Sequence, residues 1–171
     1  MINVVVDDLA FVKCDAIVRP ATARLEPTTP VARRLEQFGG PDFLRRLRLH
    51  NDLAVGAAVV TGGGGELPAE FVIHAVVQSD TEPVSRRSVE VGWRSVLQRA
   101  REWEFARLTA PPIGTGAGNL TIEDAAGIMV ALATAGVGDA SYPREVTFVV
   151  ETPEDRDVFE AALRRARAER A

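Results

Sequence analysis

Residues 108–126 read LTAPPIGTGAGNLTIEDAA, and the fold is decided by how this stretch is read. Leu108, Thr109 and Ala110 form a short apolar run that reaches Pro111-Pro112. Gly114, Gly116 and Gly118 follow, and then a helix opens. Thr121 is placed as its N-cap, and Asp124 completes a capping-box pattern ahead of Ile122, Ala125, Ala126 and Met129. A strand, a glycine loop and a helix start, in that order, make the geometry that cradles phosphate. Glycines let backbone amides converge on an anion, and the helix start adds its positive end. Glycines at such spacings also serve ordinary tight turns. The pattern is neither G-x-G-x-x-G nor a P-loop, since no Gly-Lys-Ser/Thr follows. On spacing alone both readings stand.

Composition bounds what the rest of the chain can be. At 171 residues it fits one domain, spanning 1–171, with room for a proper core. Hydrophobic residues make up 46%, which points to a globular class. The net charge of −4 and pI near 5.3 argue against bulk electrostatic binding of nucleic acid or an anionic membrane. No apolar run approaches the ~20 residues of a membrane span, and the N-terminus lacks a signal-peptide pattern, so a cytoplasmic protein is expected. Cys14 is the single cysteine, which excludes an intrachain disulfide. His50, His74 and Cys14 are scattered and give no metal-ligand spacing, so neither a metal nor another cofactor is expected.

Elements follow from hydrophobic periodicity and punctuation. Ile2–Val6 (INVVV) reads as a buried strand, and Asp15–Val18 as a second, stopped by Arg19-Pro20. Val31, Leu35 and Phe38 recur at helical spacing up to Gly39-Gly40, and Phe43, Leu44 and Leu47 suggest a second short helix. The arginines at 33, 34, 45, 46 and 48 read as solvated helix faces with Glu36 and Asp42 nearby. Gly56–Thr61 and Phe71–Val77 form a hairpin across Gly62–Gly65, read as a flexible connector. Val89, Trp93, Val96, Ala100 and Trp103 mark the inner face of a helix, which makes both tryptophans core candidates. The helix after the glycine loop ends at Gly136-Val137-Gly138. Glu145–Val150 is the last strand, and Thr152, Pro153 and Asp155 open the last helix. That order implies a mixed sheet of about six strands between helical layers, a three-layer α/β/α fold.

Several spellings resemble those of the macro domain family, single α/β modules that bind ADP-ribose. Pro112-Ile113-Gly114-Thr115-Gly116-Ala117-Gly118-Asn119-Leu120, with Ala125-Ala126 beyond it, is similar to the family's diphosphate-binding loop. Asp7-Asp8-Leu9 matches Gly-Asp-Ile, in which the aspartate accepts from the adenine amino group. Asp8 as a turn residue or cap is the other reading of that position. Asp15-Ala16-Ile17-Val18-Arg19-Pro20-Ala21-Thr22 stands against Asp-Ala-Ile-Val-Asn-Ala-Ala-Asn. The hairpin also follows the family, down to Val72-Ile73-His74, where His74 reads as a satisfied core histidine before it reads as a base.

Departures gather at the expected ligand face. Thr22 stands for the asparagine beside the distal ribose, Thr28-Thr29-Pro30 for a glycine triplet, and Ala32 for the aspartate of hydrolytic members. Ala117-Gly118-Asn119 lacks the loop aromatic, and Glu151 replaces an aromatic set against the adenine. Threonine can still bond a hydroxyl, whereas Pro30 removes a donor and residues with a Cβ resist close approach.

The resemblance therefore implies a divergent module that binds ADP-ribose or a related nucleotide diphosphate, with ADP-ribosylated protein as a candidate partner. Its ligand-binding residues would be Asp8, Leu9, Thr22, Gly114, Thr115, Gly116, Ala117, Gly118 and Asn119, with no efficient hydrolysis. Thr22 is the one catalytic candidate that the family motif offers. A hydrolase of ADP-ribosyl or O-acetyl-ADP-ribose groups, and a non-binding oligomeric or partner-binding scaffold, are the alternatives.

Overall fold

The β-branched run at the start forms β1, Ile2–Val6. A 3-10 turn follows at Leu9–Phe11, capped by Asp8. The computed structural model describes every residue except residue 51, residues 117–119 and residues 138–140. The remaining elements are β2 (Ala16–Thr22), α1 (Pro30–Leu47), β3 (Ala58–Gly62), β4 (Phe71–Gln78), α2 (Arg86–Glu102), β5 (Arg107–Ala110), α3 (Ile122–Gly136), β6 (Glu145–Val150) and α4 (Pro153–Arg170).

The six strands make one sheet in the order β1-β6-β5-β2-β4-β3. Neighbours run parallel except for the β3–β4 hairpin. Helices α2, α3 and α4 bury Trp93, Met129 and Phe159 against one face. Helix α1 and the 3-10 turn cover the other with Leu35, Phe43 and Leu9. This is the three-layer α/β/α arrangement with a mixed sheet that the sequence implies.

Strand β2 does not stop at Arg19-Pro20. It continues to Thr22, paired with β4 throughout. The reason is that β5 pairs only with Ala16 and Ile17. Beyond them β2 has one open edge, where the N–H that Pro20 lacks breaks no ladder bond.

The two helical runs around Gly39-Gly40 join as α1 across a kink. Gly40 takes φ 79° there, and Pro41 follows it. A Cβ on Gly39 would stand 2.5 Å from Phe43 Cδ1, so the kink seats Phe43 against the backbone. The Gly62–Gly65 connector is held in place: Gly63 N–H donates to the Glu70 carbonyl at 2.6 Å, and Arg46 Nη1 donates to the Gly63 carbonyl at 2.6 Å.

The α3 and α4 starts form where the Thr121 and Thr152 caps predict, and Ser85 caps α2, which the sequence reading did not mark. Thr121, Ser85 and Thr152 each accept from the N–H three residues on. Asp124 does not complete the reciprocal bond at Thr121 but pairs with Arg86. Trp103 corrects the pattern reading. It is 48% exposed, because α2 ends at Glu102 and the indole lies over Phe71 and Phe105 at the N-terminal edge of the sheet. Among the described residues no helix is long and apolar enough to cross a membrane.

The topology itself marks a place for a ligand. From β2 the chain moves outward through α1 to β3 and β4; from β5 it moves the opposite way, through α3 to β6. The C-terminal ends of β5 and β2 therefore feed loops that part in opposite directions, which opens a crevice in sheets of this kind.

Candidate functional site

Two cavities adjoin along the C-terminal edge of the sheet. One of about 310 Å³ is bounded by Val6, Asp8, Leu9, Val31, Arg34 and Val149. The next, of about 180 Å³, is walled by Thr29, Pro111, Pro112, Thr115 and Ile122. Val31, Val149 and Glu151 belong to both, so the two form one cleft between α1 and the ends of β1, β6 and β5. Its walls are mostly aliphatic side chains and prolines. Its ionisable groups sit at the rim, Asp8 with Arg34 at one end and Glu151 with Asp155 toward the other.

Asp8 takes up its cap reading and also borders the cleft. Its Oδ1 accepts from Ala10 N–H at 3.0 Å and so caps the 3-10 turn. Its Oδ2 pairs with Arg34 Nη2 at 2.6 Å, and the same carboxylate lines the cleft. A carboxylate has about four acceptor positions, so two remain after these partners. The Arg34 guanidinium lies 5.5 Å from the Phe38 ring centroid, which holds the clamp against α1. Leu9 is buried behind Asp8 as part of the floor.

The glycine loop enters from β5. Ile113 is buried and donates its N–H to Met129 Sδ at 3.3 Å, tying the loop root to α3. Gly114 has φ +89°, and a Cβ there would stand 2.6 Å from Val89 Cγ2, so only glycine fits. Thr115 lines the smaller cavity. Gly116 faces the loop before α1: a Cβ on it would lie 2.9 Å from Thr29 Cγ2 and 3.0 Å from the Thr28 carbonyl oxygen. Ala117, Gly118 and Asn119 lie outside the described residues.

Thr22 is not brought to this cleft. Its Oγ1 accepts from Glu26 N–H at 3.1 Å and Arg24 N–H at 3.3 Å, which closes the turn after β2. It borders a separate cavity of about 290 Å³ with Arg24, Glu26, Asp52 and Asp80. Ala32 is fully buried and donates its N–H to Thr29 Oγ1 at 3.1 Å as part of the α1 cap.

The residue pattern is that of one known family. The macro domain family model matches residues 18–129, from within β2 to the middle of α3. The chain belongs to the macro domain family. An uncharacterized protein of Mycobacterium tuberculosis is 32% identical over 123 residues, covering 72% of this chain. The chain spans about a third of that relative's length, 34%. Among solved structures, the Oceanobacillus iheyensis macrodomain with ADP superposes with a TM-score of 0.83 at 20% identity, over 97% of this chain and 91% of that one. The Trypanosoma brucei macrodomain in complex with ADP-ribose gives 0.81 at 21% identity, over 95% of this chain and 68% of that one.

In this macro domain His74 is neutral and fully occupied. Arg19 Nε–H donates to His74 Nδ1 at 2.8 Å, which leaves the ring proton on Nε2 to meet Thr61 Oγ1 at 2.8 Å. Burial first, then the Arg19 charge and His50, push the imidazole well below its usual range. With no free lone pair and no exposure, it is a core histidine. Arg19 is itself fully buried and pairs with Glu36 Oε1 at 2.9 Å. Burial lowers Arg19, and Glu36 acts against that shift. Glu36 thus serves a core cation, not the exposed α1 arginines. Of those, Arg45 pairs with Asp42 and Arg34 with Asp8. Burial pushes the Cys14 thiol up to about 11, against a hydrogen bond to Thr109.

Sequence reasoning missed Arg34 as the clamp on Asp8 and the cleft walls Val31 and Val149. It also missed Arg19, whose charge inside an apolar strand was the available signal of a buried partner. Among the described residues no cluster of histidine, cysteine and carboxylate side chains could hold a metal.

Proposed function

We propose that this macro domain binds ADP-ribose or a related nucleotide diphosphate and does not hydrolyse it efficiently. The observation that carries the reading is the aliphatic cleft with Asp8 at one end and Thr115 of the glycine loop at the other, set at the switch point of the sheet. A purine would lie between Val31 and Val149, with its amino group donating to a free lone pair of Asp8. Leu9 would support the base from below. The diphosphate would meet Gly114, Thr115 and Gly116 near the N-terminus of α3. On sequence grounds the same proposal extends to Ala117, Gly118 and Asn119. The two superposed macrodomains are complexes with ADP and with ADP-ribose, which supports this ligand class. An ADP-ribosylated protein would be a partner through its modification provided the cleft admits the distal ribose.

Weak or absent hydrolysis follows from the two replaced positions. Thr22 commits its hydroxyl to the turn after β2, and position 32 offers a buried methyl where hydrolytic members have a carboxylate. Neither offers a free acceptor to orient and activate a water against a ribose, and misplacement by about 1 Å already costs a factor of a hundred.

Calorimetry with ADP-ribose and ADP tests the binding, and a release assay on ADP-ribosylated protein tests the chemistry. Gly116→Val is expected to weaken binding by about tenfold or more, roughly 1.4 kcal/mol, with a cooperative melt retained. Unchanged affinity in the folded variant would remove the loop from the site. Turnover abolished by Thr22→Ala would show that threonine has taken over the asparagine's work.

A further inference from the structure

We infer that the cleft ends at the contact between Thr29 and Gly116, so that this site selects nucleotides terminating in their phosphates and binds ADP at least as tightly as ADP-ribose. The inference rests on the nucleotide reading above and adds where the ligand must stop.

The two loops that flank the switch point touch each other. A methyl on Gly116 would stand 2.9 Å from Thr29 Cγ2 and 3.0 Å from the Thr28 carbonyl oxygen, closer than side chains pack. A gap that excludes a methyl excludes a pentose ring. The Thr28–Pro30 side of the contact is also braced. Thr29 Oγ1 caps α1 through Ala32 N–H, the Thr29 carbonyl accepts from Arg33 N–H at 3.0 Å, and Pro30 fixes the first helical residue. Just upstream, Pro27 is bridged to Ala21 of β2. Drawing this loop back would break the start of α1.

Beyond the contact the apolar walls give way to polar and charged side chains. The cavity at the ends of β2 and β4 is bordered by Glu26, Asp52 and Asp80, with Arg24 as its cation. Arg24 is already paired with Asp80 at 3.1 Å, and the Thr22 hydroxyl accepts two backbone N–H groups. On the near side the apolar walls and Thr115 accept a base, a ribose and phosphates with nothing to pass through the gap.

Calorimetry on the whole chain with ADP and with ADP-ribose, repeated on Thr29→Gly, tests the inference. Glycine is tolerated at an N-cap and removes the methyl that faces Gly116. Wild type is expected to bind ADP as tightly as ADP-ribose or more so, and Thr29→Gly to gain about tenfold for ADP-ribose with ADP little changed. If Thr29→Gly does not melt cooperatively, Thr29→Ser keeps the capping oxygen, removes the same methyl and replaces it in the comparison. Wild type binding ADP-ribose about tenfold more tightly than ADP overturns the inference and leaves the nucleotide reading standing. Folded variants whose preference matches wild type overturn the assignment to Thr29. If wild type binds neither ligand, both readings fall together.

Discussion

On the base side of the Thr29–Gly116 contact, Val6, Leu9, Val31 and Val149 build an aliphatic slot. On the far side, at the ends of β2 and β4, the loops are polar and fold their hydrogen bonds inward. Thr22 Oγ1 receives two N–H groups, and Ser79 Oγ receives those of Thr81 and Glu82. Both regions stand on the same edge of one sheet, over parallel strands. The base side sets its carboxylate beside an open apolar wall, whereas the far side spends its hydroxyl acceptors within its own turns. A polar group whose bonds are satisfied within its own loop makes that loop rigid and leaves a ligand little to bind. The difference between the two sides is one of commitment, since polar residues occur on both.

The strongest way to break the comparison is through Arg19, which ties the far-side loop to the core by donating to the Leu25 carbonyl at 2.5 Å. Arg19→Ala leaves His74 Nδ1 without its donor and Glu36 without its cation. Loss of one partner of a buried pair costs about 3–5 kcal/mol, so urea unfolding should shift by that much. If the variant is folded at low denaturant, its ADP affinity should stay near wild type, because no base-side wall depends on Arg19.

The same network sets a pH dependence. The His74 pKa is held well below its usual 6.5 in the folded chain, so below that pH the unfolded chain binds the extra proton. Stability is then complete above about pH 6.5 and falls as pH drops, by up to about 1.4 kcal/mol per unit until the folded state also protonates. Denaturant titrations from pH 7.5 downward should show that slope, and His74→Asn should flatten it.

On the base side, Asp8→Ala should weaken ADP binding by about 1.5 kcal/mol, the low end for a charge-assisted bond because this carboxylate is partly exposed. Inorganic pyrophosphate, which has no amine to read, should lose little. Equal losses for the two would mean that Asp8 serves only the 3-10 turn and Arg34. Smallest is Thr22→Ala. It removes one acceptor from the far-side turn and should cost about 1 kcal/mol of stability with ADP affinity unchanged. A large loss of ADP binding would place Thr22 in the site and join the two sides.

What the sequence makes legible is whatever local pattern controls. β1, β6 and the α3 and α4 starts follow from β-branched runs and from Thr121 and Thr152 caps, because their neighbours agree with their propensities. The length of β2 was hidden, since Pro20 is permitted only where β5 has already ended. Arg34 on Asp8, and Thr29 against Gly116, join residues 26 and 87 positions apart. No periodicity encodes such pairs, and they decide how the site is shaped. Motif spelling names Asp8, Leu9 and Thr115, which line the cleft, and Thr22, which does not.

The two tryptophans give this molecule its own optical reporters. Trp93 is fully buried and donates its indole N–H to the Met129 carbonyl at 3.0 Å, inside the helix that carries the glycine loop. Trp103 is half exposed at the opposite edge of the sheet, stacked on Phe105. The buried indole should emit toward the blue and escape an aqueous quencher, while the exposed one is quenched readily. A change in the protected emission on adding ADP would therefore register movement of α3, with the quenchable emission as an internal reference and no label attached.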